Sequence, residues 1–396
     1  MTFSANVEKL QPSATMAVST LAKRLKAEGR DVIDLSAGEP DFDTPEWIAE
    51  AAIDGIRAGK TRYTPAPGLP ELRKAIARGL TERAGRDLSW EGVVVSCGAK
   101  HSLFNACFSL FGPGDEVLVA APYWTSYPEI VRLARAEPIF VQGSEEREFR
   151  LTPDDLEAAA TERTRGLIYS SPSNPTGSVY SAAELRAVAE WARDRNVRLI
   201  ADEIYREIYF EGSGVAPGIL ELPRDSLGPF VLIDGASKSF AMTGWRIGYS
   251  WTPPEEARKM TALQSHTTSN PATPSQMAAL AAYSDPERTA ADVARMREAF
   301  RRRRDLVVRL FDELLPQLPY VVPRGAFYLF VRIDPAFGDG ADGSTEFCSW
   351  LLEETGVALV PGAAFGDDRW ARLSFATSDE TLEEAIDRVA RALNGA

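Results

Sequence analysis

The chain has 396 residues, 44 % hydrophobic and 9 % aromatic, which is enough to build cores and excludes a globally disordered chain. Its 44 Lys and Arg against 57 Asp and Glu leave a net charge of −13, which argues against a nucleic-acid binder. Three cysteines with no CxxC pair, and only two histidines (His101 and His266), exclude a disulfide framework and make a protein-built zinc site an unsuitable reading.

The opening MTFSANVEKL, with Glu8 and Lys9 breaking any apolar run, does not read as a signal peptide. No stretch approaches the roughly 18 apolar residues of a membrane span, so a cytoplasmic enzyme with no membrane partner is expected. Residues 1–45 lack a strand–helix rhythm and are expected to form an arm that packs with a C-terminal lobe. From 46 to 290, short apolar runs alternate with amphipathic stretches, the pattern of a large α/β domain. Strands are expected at Val93–Val95, Glu116–Val119, Pro138–Val141, Gly166–Tyr169, Arg198–Ala201 and Phe230–Ile233. Helices are expected at Leu69–Arg83, Lys100–Phe111, Thr125–Ala134 and Ser181–Asn196. Ser181 with Glu184 three residues on is a capping box. From 291 to 396 a long charged helix (Asp292–Leu315), short strands near Phe327–Ile333 and Leu373–Phe375, and a terminal helix (Asp379–Leu393) predict a small α+β domain. The fold class is α/β with a mainly parallel sheet sandwiched by helices.

Ligands of open α/β sheets bind at the carboxyl ends of the strands, so the polar residues just beyond each apolar run are the candidates. Beyond Val95 lie Gly98, Ala99 and Lys100, then a helix. Small residues there free backbone N–H groups for a phosphate, although an ordinary βα turn would look the same. Beyond Tyr169, Pro172, Pro175 and Gly177 fix the backbone around Asn174, aiming its amide into a site or letting it bond its own backbone. Beyond Ala201, Asp202 lies between Ile200 and Ile204, with Tyr205 following. It is either a desolvated carboxylate in want of a cation or a cap. Beyond Ile233, Lys238 is framed by small and apolar residues. Burial would depress its pKa and make the amine a nucleophile, the alternative being a surface lysine. Arg246, with Trp245, Ile247 and Tyr249 around it, is expected to be buried on an anionic partner. A phosphate cradle, a desolvated lysine, an acid and a phenol at neighbouring strand ends are the protein's share of pyridoxal 5'-phosphate (PLP) chemistry.

These motifs resemble the fold-type I PLP enzymes and, within them, the class I aminotransferases of the aspartate aminotransferase family. The matching motifs run from Gly38 to Arg372 and are most specific in Ser173–Gly177 and Ser237–Tyr249. The resemblance implies a large domain with a seven-stranded sheet, a small α+β domain, and transamination by a homodimer with shared active sites. It implies that Lys238 forms the internal aldimine and shuttles the proton, and that Asp202 keeps the pyridine nitrogen protonated. Asn174 and Tyr205 are similar to the residues that bond the cofactor's 3-oxygen. Gly98, Ala99, Lys100 and Arg246 match the phosphate site, and Trp124 the aromatic that stacks on the ring. Tyr63 resembles the phosphate-contacting tyrosine given by the neighbouring subunit. Arg372 is similar to the arginine that grips the substrate α-carboxylate, with Gly38 letting the backbone approach it. One departure is Gly235, where many relatives carry a phosphate-binding serine; Ser237 is the residue expected to take over.

Lys100 and Thr15, the latter in Pro12-Ser13-Ala14-Thr15, resemble a lysine–threonine pair that bacterial aspartate aminotransferases turn toward a distal carboxylate. A solvated first-turn lysine is the alternative for Lys100, but a cation there opposes the helix dipole and calls for an anion. The expected reaction is L-aspartate with 2-oxoglutarate giving oxaloacetate and L-glutamate. Prephenate or aromatic amino acids are the alternative substrates, and a non-transaminating PLP enzyme or a PLP-fold ligand sensor is the remote one. Substrates would be small amino and 2-oxo acids, with no metal.

Overall fold

The computed structural model describes residues 4–8, 10, 14–338 and 342–395. Its strands in chain order are β1 (Ile33–Asp34), β2 (Val93–Cys97), β3 (Glu116–Ala121), β4 (Glu137–Gln142), β5 (Thr164–Ser170), β6 (Arg198–Asp202), β7 (Phe230–Gly235) and β8 (Ile247–Trp251), followed by β9 (Tyr320–Val321), β10 (Tyr328–Arg332), β11 (Val357–Ala358), β12 (Val360–Pro361) and β13 (Trp370–Ser374). Seven of them form one sheet in the order β2-β8-β7-β6-β5-β3-β4. All neighbours are parallel except β8, which runs antiparallel to both β2 and β7.

Consecutive apolar residues explain why the central strands sit between two helical layers. Val93, Val95, Leu118, Leu167, Leu199 and Leu232 pack into the core on one face. Their neighbours Val94, Val117, Val119, Ile168, Ile200 and Val231 pack into the core on the other. The six expected strands are present. β8 is the seventh and was not expected as a strand, because Gly248 interrupts its apolar run and no βα unit precedes it.

The second core surrounds β10 and β13, in the antiparallel sheet β12-β13-β10-β9. Phe300, Phe327, Leu329, Phe347 and Leu373 fill it. The expected long helix runs from Pro286 to Leu314, longer at its start because Asp285 accepts from Arg288 N and Pro286 occupies the first turn. The early chain joins this lobe: β1 pairs in parallel with β11, and Ala22 and Val32 pack on Leu352 and Ala358. The two cores meet where Ile204 and Tyr205, just beyond β6, pack with Leu35, Phe327 and Tyr328, while Arg303 ties the early chain to the second core through two 2.8 Å bonds to Asp41. Among the described residues no helix is long and apolar enough to cross a membrane.

Parallel β2, β5, β6 and β7 end on one edge of the sheet, and the reversed β8 begins there. That edge therefore gathers Gly98, Asn174, Asp202, Lys238 and Arg246 against Arg372 of β13.

Candidate active site

A cavity of about 390 Å³ opens between this edge and the second core. Gly38, Ala99, Lys100, Trp124, Asn174, Asp202, Tyr205, Ser237, Lys238, Arg246 and Arg372 all line it.

One wall gathers cationic and N–H groups that no carboxylate among the described residues neutralises. Gly98 has φ +84 and opens the helix Ala99–Leu110, whose first N–H groups have no helical partner. A Cβ on Gly98 would lie 2.3 Å from Arg246 Nη2, so only glycine lets the guanidinium lie against the helix start. Gly248 does the same for the backbone, since a Cβ there would lie 2.1 Å from Ala99 N. Arg246 is exposed to the cavity rather than buried, and Nη1 donates to Thr243 O at 2.7 Å. Its positive φ of 56° turns the side chain outward while Trp245 Nε1 bonds Thr44 Oγ1 and Ile247 enters the core. The apolar neighbours therefore did not report its environment. Among the described residues no carboxylate pairs with Arg246 or Lys100. The Lys100 ammonium sits 4.9 Å over the Trp124 ring, and burial and Arg246 lower its pKa. The glycine at 235 has its own cause: a Cβ there would meet Gly248 Cα at 2.8 Å, so no serine fits between β7 and β8. Ser237 is buried on the cavity wall.

Lys238 and Asp202 share the floor. Lys238 Nζ donates to Gly38 O at 2.5 Å. Burial pushes its pKa down to about 8, with Arg246 and Arg372 adding to the drop and Glu39 and Asp202 opposing it. Asp202 accepts from Tyr127 Oη at 2.8 Å and from Ile204 N at 3.2 Å, so it caps the next segment and also faces the cavity. Burial pushes it up to about 6 against the pull of those two donors. Both groups are thus shifted toward neutrality and titrate within about a unit of pH 7, the amine from above and the carboxylate from below.

Arg372 closes the far side. It is 1 % exposed, held between the rings of Tyr328 at 4.4 Å and Phe365 at 5.1 Å. Nη1 donates to Asn174 Oδ1 at 3.0 Å and Nη2 to Ser36 O at 2.6 Å, while Nε has no partner among the described residues. Burial lowers its pKa, and no carboxylate pairs with it there. Tyr205 Oη and Tyr328 Oη lie 2.7 Å apart, behind Lys238.

Three expected residues do not line this cavity, the first being Gly98, which lies behind Ala99 at the helix start. Tyr63 is 92 % exposed and does not line it. Thr15 lies in the helix Ala14–Ala27, but its side chain, like all of Pro12 and Ser13, lies outside the described residues. Sequence reasoning missed Tyr127, Tyr328, Glu39, Ser19 and Lys23, which also line the cavity. Tyr127 could have been found, because three residues after Trp124 it shares that residue's side of a helical turn. Tyr328 carries no local signal, since its partner Tyr205 is 123 positions away.

The profile of the family "Aminotransferase class I and II" matches residues 30–389. The aspartate aminotransferase of Geobacillus stearothermophilus is 44 % identical over 99 % of this chain and 98 % of its own. The aspartate/prephenate aminotransferase of Thermus thermophilus is 42 % identical over 99 % of each chain. The solved aspartate aminotransferase from Thermus thermophilus with maleate superposes with a TM-score of 0.92 at 41 % identity, covering 99 % of both chains. The chain belongs to the class I and II aminotransferases, as an enzyme of the aspartate aminotransferase type.

Proposed function

We propose that this enzyme binds PLP and transfers the amino group of L-aspartate to 2-oxoglutarate, giving oxaloacetate and L-glutamate, as a cytoplasmic homodimer. The observation that carries the reading is one cavity holding a depressed-pKa lysine and a fully buried arginine with a free Nε. The residues fit PLP. Arg246, Ser237 and the helix start at Gly98–Lys100 suit its phosphate, because no carboxylate among the described residues neutralises them. Asp202, locked by Tyr127, suits a ring nitrogen, and the Trp124 face suits the ring. Asn174 and Tyr205 suit the 3-oxygen. Bound there, PLP supplies a carbonyl that takes up the amino group and a ring that withdraws electrons from the substrate Cα.

The chain's own residues do the rest. Lys238 Nζ, whose pKa of about 8 makes the neutral amine far more accessible than in an ordinary lysine, takes and returns the proton at the substrate Cα. Asp202, ionised by a facing ring cation, holds that cation in place. Arg372 and Asn174 orient the α-carboxylate, and Gly38, on the wall of the same cavity, lets the backbone come close to it. Lys100, paired with Thr15 by the family resemblance, takes the second carboxylate. The maleate held by the Thermus thermophilus relative, a dicarboxylate, supports this choice. Tyr63 serves the second subunit's phosphate site, and its exposure in the single chain supports that. The division into an arm (1–45), a PLP-binding domain (46–290) and a small domain (291–396) belongs to the same reading.

The test is a panel of purified protein with PLP, several amino donors including aspartate, phenylalanine and alanine, and 2-oxoglutarate, oxaloacetate or prephenate as acceptor. Fast turnover with aspartate and 2-oxoglutarate is expected. The names of relatives such as the aspartate/prephenate aminotransferase of Thermus thermophilus favour prephenate as the second acceptor to try. A preference for neutral donors would overturn the dicarboxylate reading.

A further inference from the structure

Tyr63 stands almost fully in solvent, yet the loop that carries it is held from inside by buried polar side chains. Gln276, fully buried on the helix Thr273–Ser284, accepts from Leu69 N at 2.7 Å. Its amide donates to Thr64 Oγ1 at 3.1 Å and to Pro271 O at 2.8 Å. Thr273 Oγ1, on the same helix, donates to Arg62 O at 2.7 Å. Gln264, also fully buried, donates to Ala66 O at 2.6 Å and to Val95 O at 2.9 Å. The segment from Arg62 to Leu69 is thus pinned at both ends and in the middle, and Tyr63 sits between two of the pins. Gln264 also accepts from Ser96 Oγ and Asn105 Nδ2, directly beneath the anion wall at Gly98.

Burying two amide side chains costs free energy that their hydrogen bonds only offset, so a loop free to move would have no use for them. What they provide is rigidity at a tip whose aromatic residue touches nothing in its own site. We infer that Gln276, with Thr273 and Gln264, is a positioning residue that holds the Tyr63 loop in a fixed shape for the active site of a second copy of this chain. The inference rests on the reading of Tyr63 as a residue given to the partner's phosphate site.

The experiment measures the PLP dissociation constant of Gln276→Met and of the milder Thr64→Val/Thr273→Val, with Tyr63→Phe as reference, and follows amide exchange at Gly68 and Leu69. Both clamp variants should weaken PLP binding, Gln276→Met by about tenfold, the scale of one buried hydrogen bond. Leu69 should exchange faster in Gln276→Met. Gln276→Met is then co-expressed under a second tag with an excess of Lys238→Ala chain, whose loop is intact, and PLP is fixed by borohydride onto the one chain that keeps Lys238. Trapping at the parental PLP concentration in this hybrid is expected, because the good loop now comes from the partner. Trapping that stays as weak as in the Gln276→Met homodimer would show that the clamp serves its own site, and would overturn the proposal. So would parental PLP affinity in both clamp variants. Parental affinity in Tyr63→Phe alone would instead remove the reading beneath it, and the proposal with it.

Discussion

Lys238 is expensive to keep where it is. A drop from the ordinary 10.5 to about 8 means the folded chain binds fewer protons than the unfolded one between those pH values, so stability rises with pH across that window. Below pH 8 the full cost of burying the ammonium is present, about 3.5 kcal/mol at roughly 1.4 kcal/mol per pH unit. Lys238→Met should therefore raise the urea midpoint of the PLP-free protein at pH 7, with the gain fading toward pH 10.5. The same change should lower turnover by at least about 10²–10⁴-fold, since the proton-transfer group is gone. A variant that is no more stable and still turns over would remove Lys238 from the chemistry. Lys100 and Arg372 should separate on the substrate panel. Lys100→Ala should cut kcat/KM for aspartate roughly 10- to 100-fold, one charge-assisted bond, and change alanine or phenylalanine much less. Arg372→Ala should depress every donor, because each carries an α-carboxylate. Equal losses across acidic and neutral donors in Lys100→Ala would withdraw the dicarboxylate reading. Lys238 and Lys100 were legible because strand ends in a parallel sheet converge, so the polar residues just past the apolar runs gather on one edge, whereas Arg372, inside β13 of the antiparallel sheet, was reached only through the family resemblance. The environment of Arg246 was not legible, because a positive φ reversed the side its neighbours suggested.

At the scale of elements, the anion wall depends on two glycines that let a helix, a strand and a guanidinium interpenetrate. Gly98→Ala adds a methyl 2.3 Å from Arg246 Nη2 in a backbone region that disfavours side chains. Arg246 must swing away from the helix start, and PLP affinity should fall about tenfold or more while kcat at saturating PLP holds better. Titration of PLP against the purified variant checks this, and unchanged affinity would show that Arg246 does not hold the phosphate. The strands of the sheet were readable from apolar runs, and the capping box at Ser181 forms as expected, with Glu184 N bonding Ser181 Oγ at 3.2 Å. β8 escaped because it carries a different pattern from its neighbours: Ile247, Tyr249 and Trp251 alternate with Gly248 and Ser250 instead of forming a consecutive apolar run. Gly248 must admit Ala99 N while Ile247, Tyr249 and Trp251 fill the core, so no clean apolar run survives. The helix at Thr273–Ser284 escaped because its Ala-rich surface, packed against the helix Glu46–Arg57, leaves little periodicity in its sequence; Glu46–Arg57 was not expected either, although its apolar positions do recur at helical spacing.

Across the whole molecule, the site exists only where the two cores meet. Lys238 comes after a strand of the large sheet, yet its amine bonds Gly38 O, close after β1 in the other lobe. Arg372 stands on β13 of the small sheet and reaches Asn174 beyond β5 and Ser36 beyond β1. A dicarboxylate seated on Arg372 and Lys100 would therefore tie both sheets, and binding to the folded state alone stabilises it by mass action. At a hundredfold excess over its dissociation constant that is about 2.7 kcal/mol. With a degree or two per kcal/mol expected for a chain of this size, the Tm of the PLP-loaded protein should rise by roughly 5 °C in succinate. Propionate, with the same α-carboxylate mimic and no second charge, should raise it by much less. Lys100→Ala should bring the succinate shift down to the propionate level, because only the distal contact is lost. Arg372→Ala should remove both shifts, because the contact that spans the two cores is lost. A succinate shift that survives in Arg372→Ala would mean that the dicarboxylate sits on the anion wall of the large sheet alone, and the joint between the lobes would then take no part in substrate recognition.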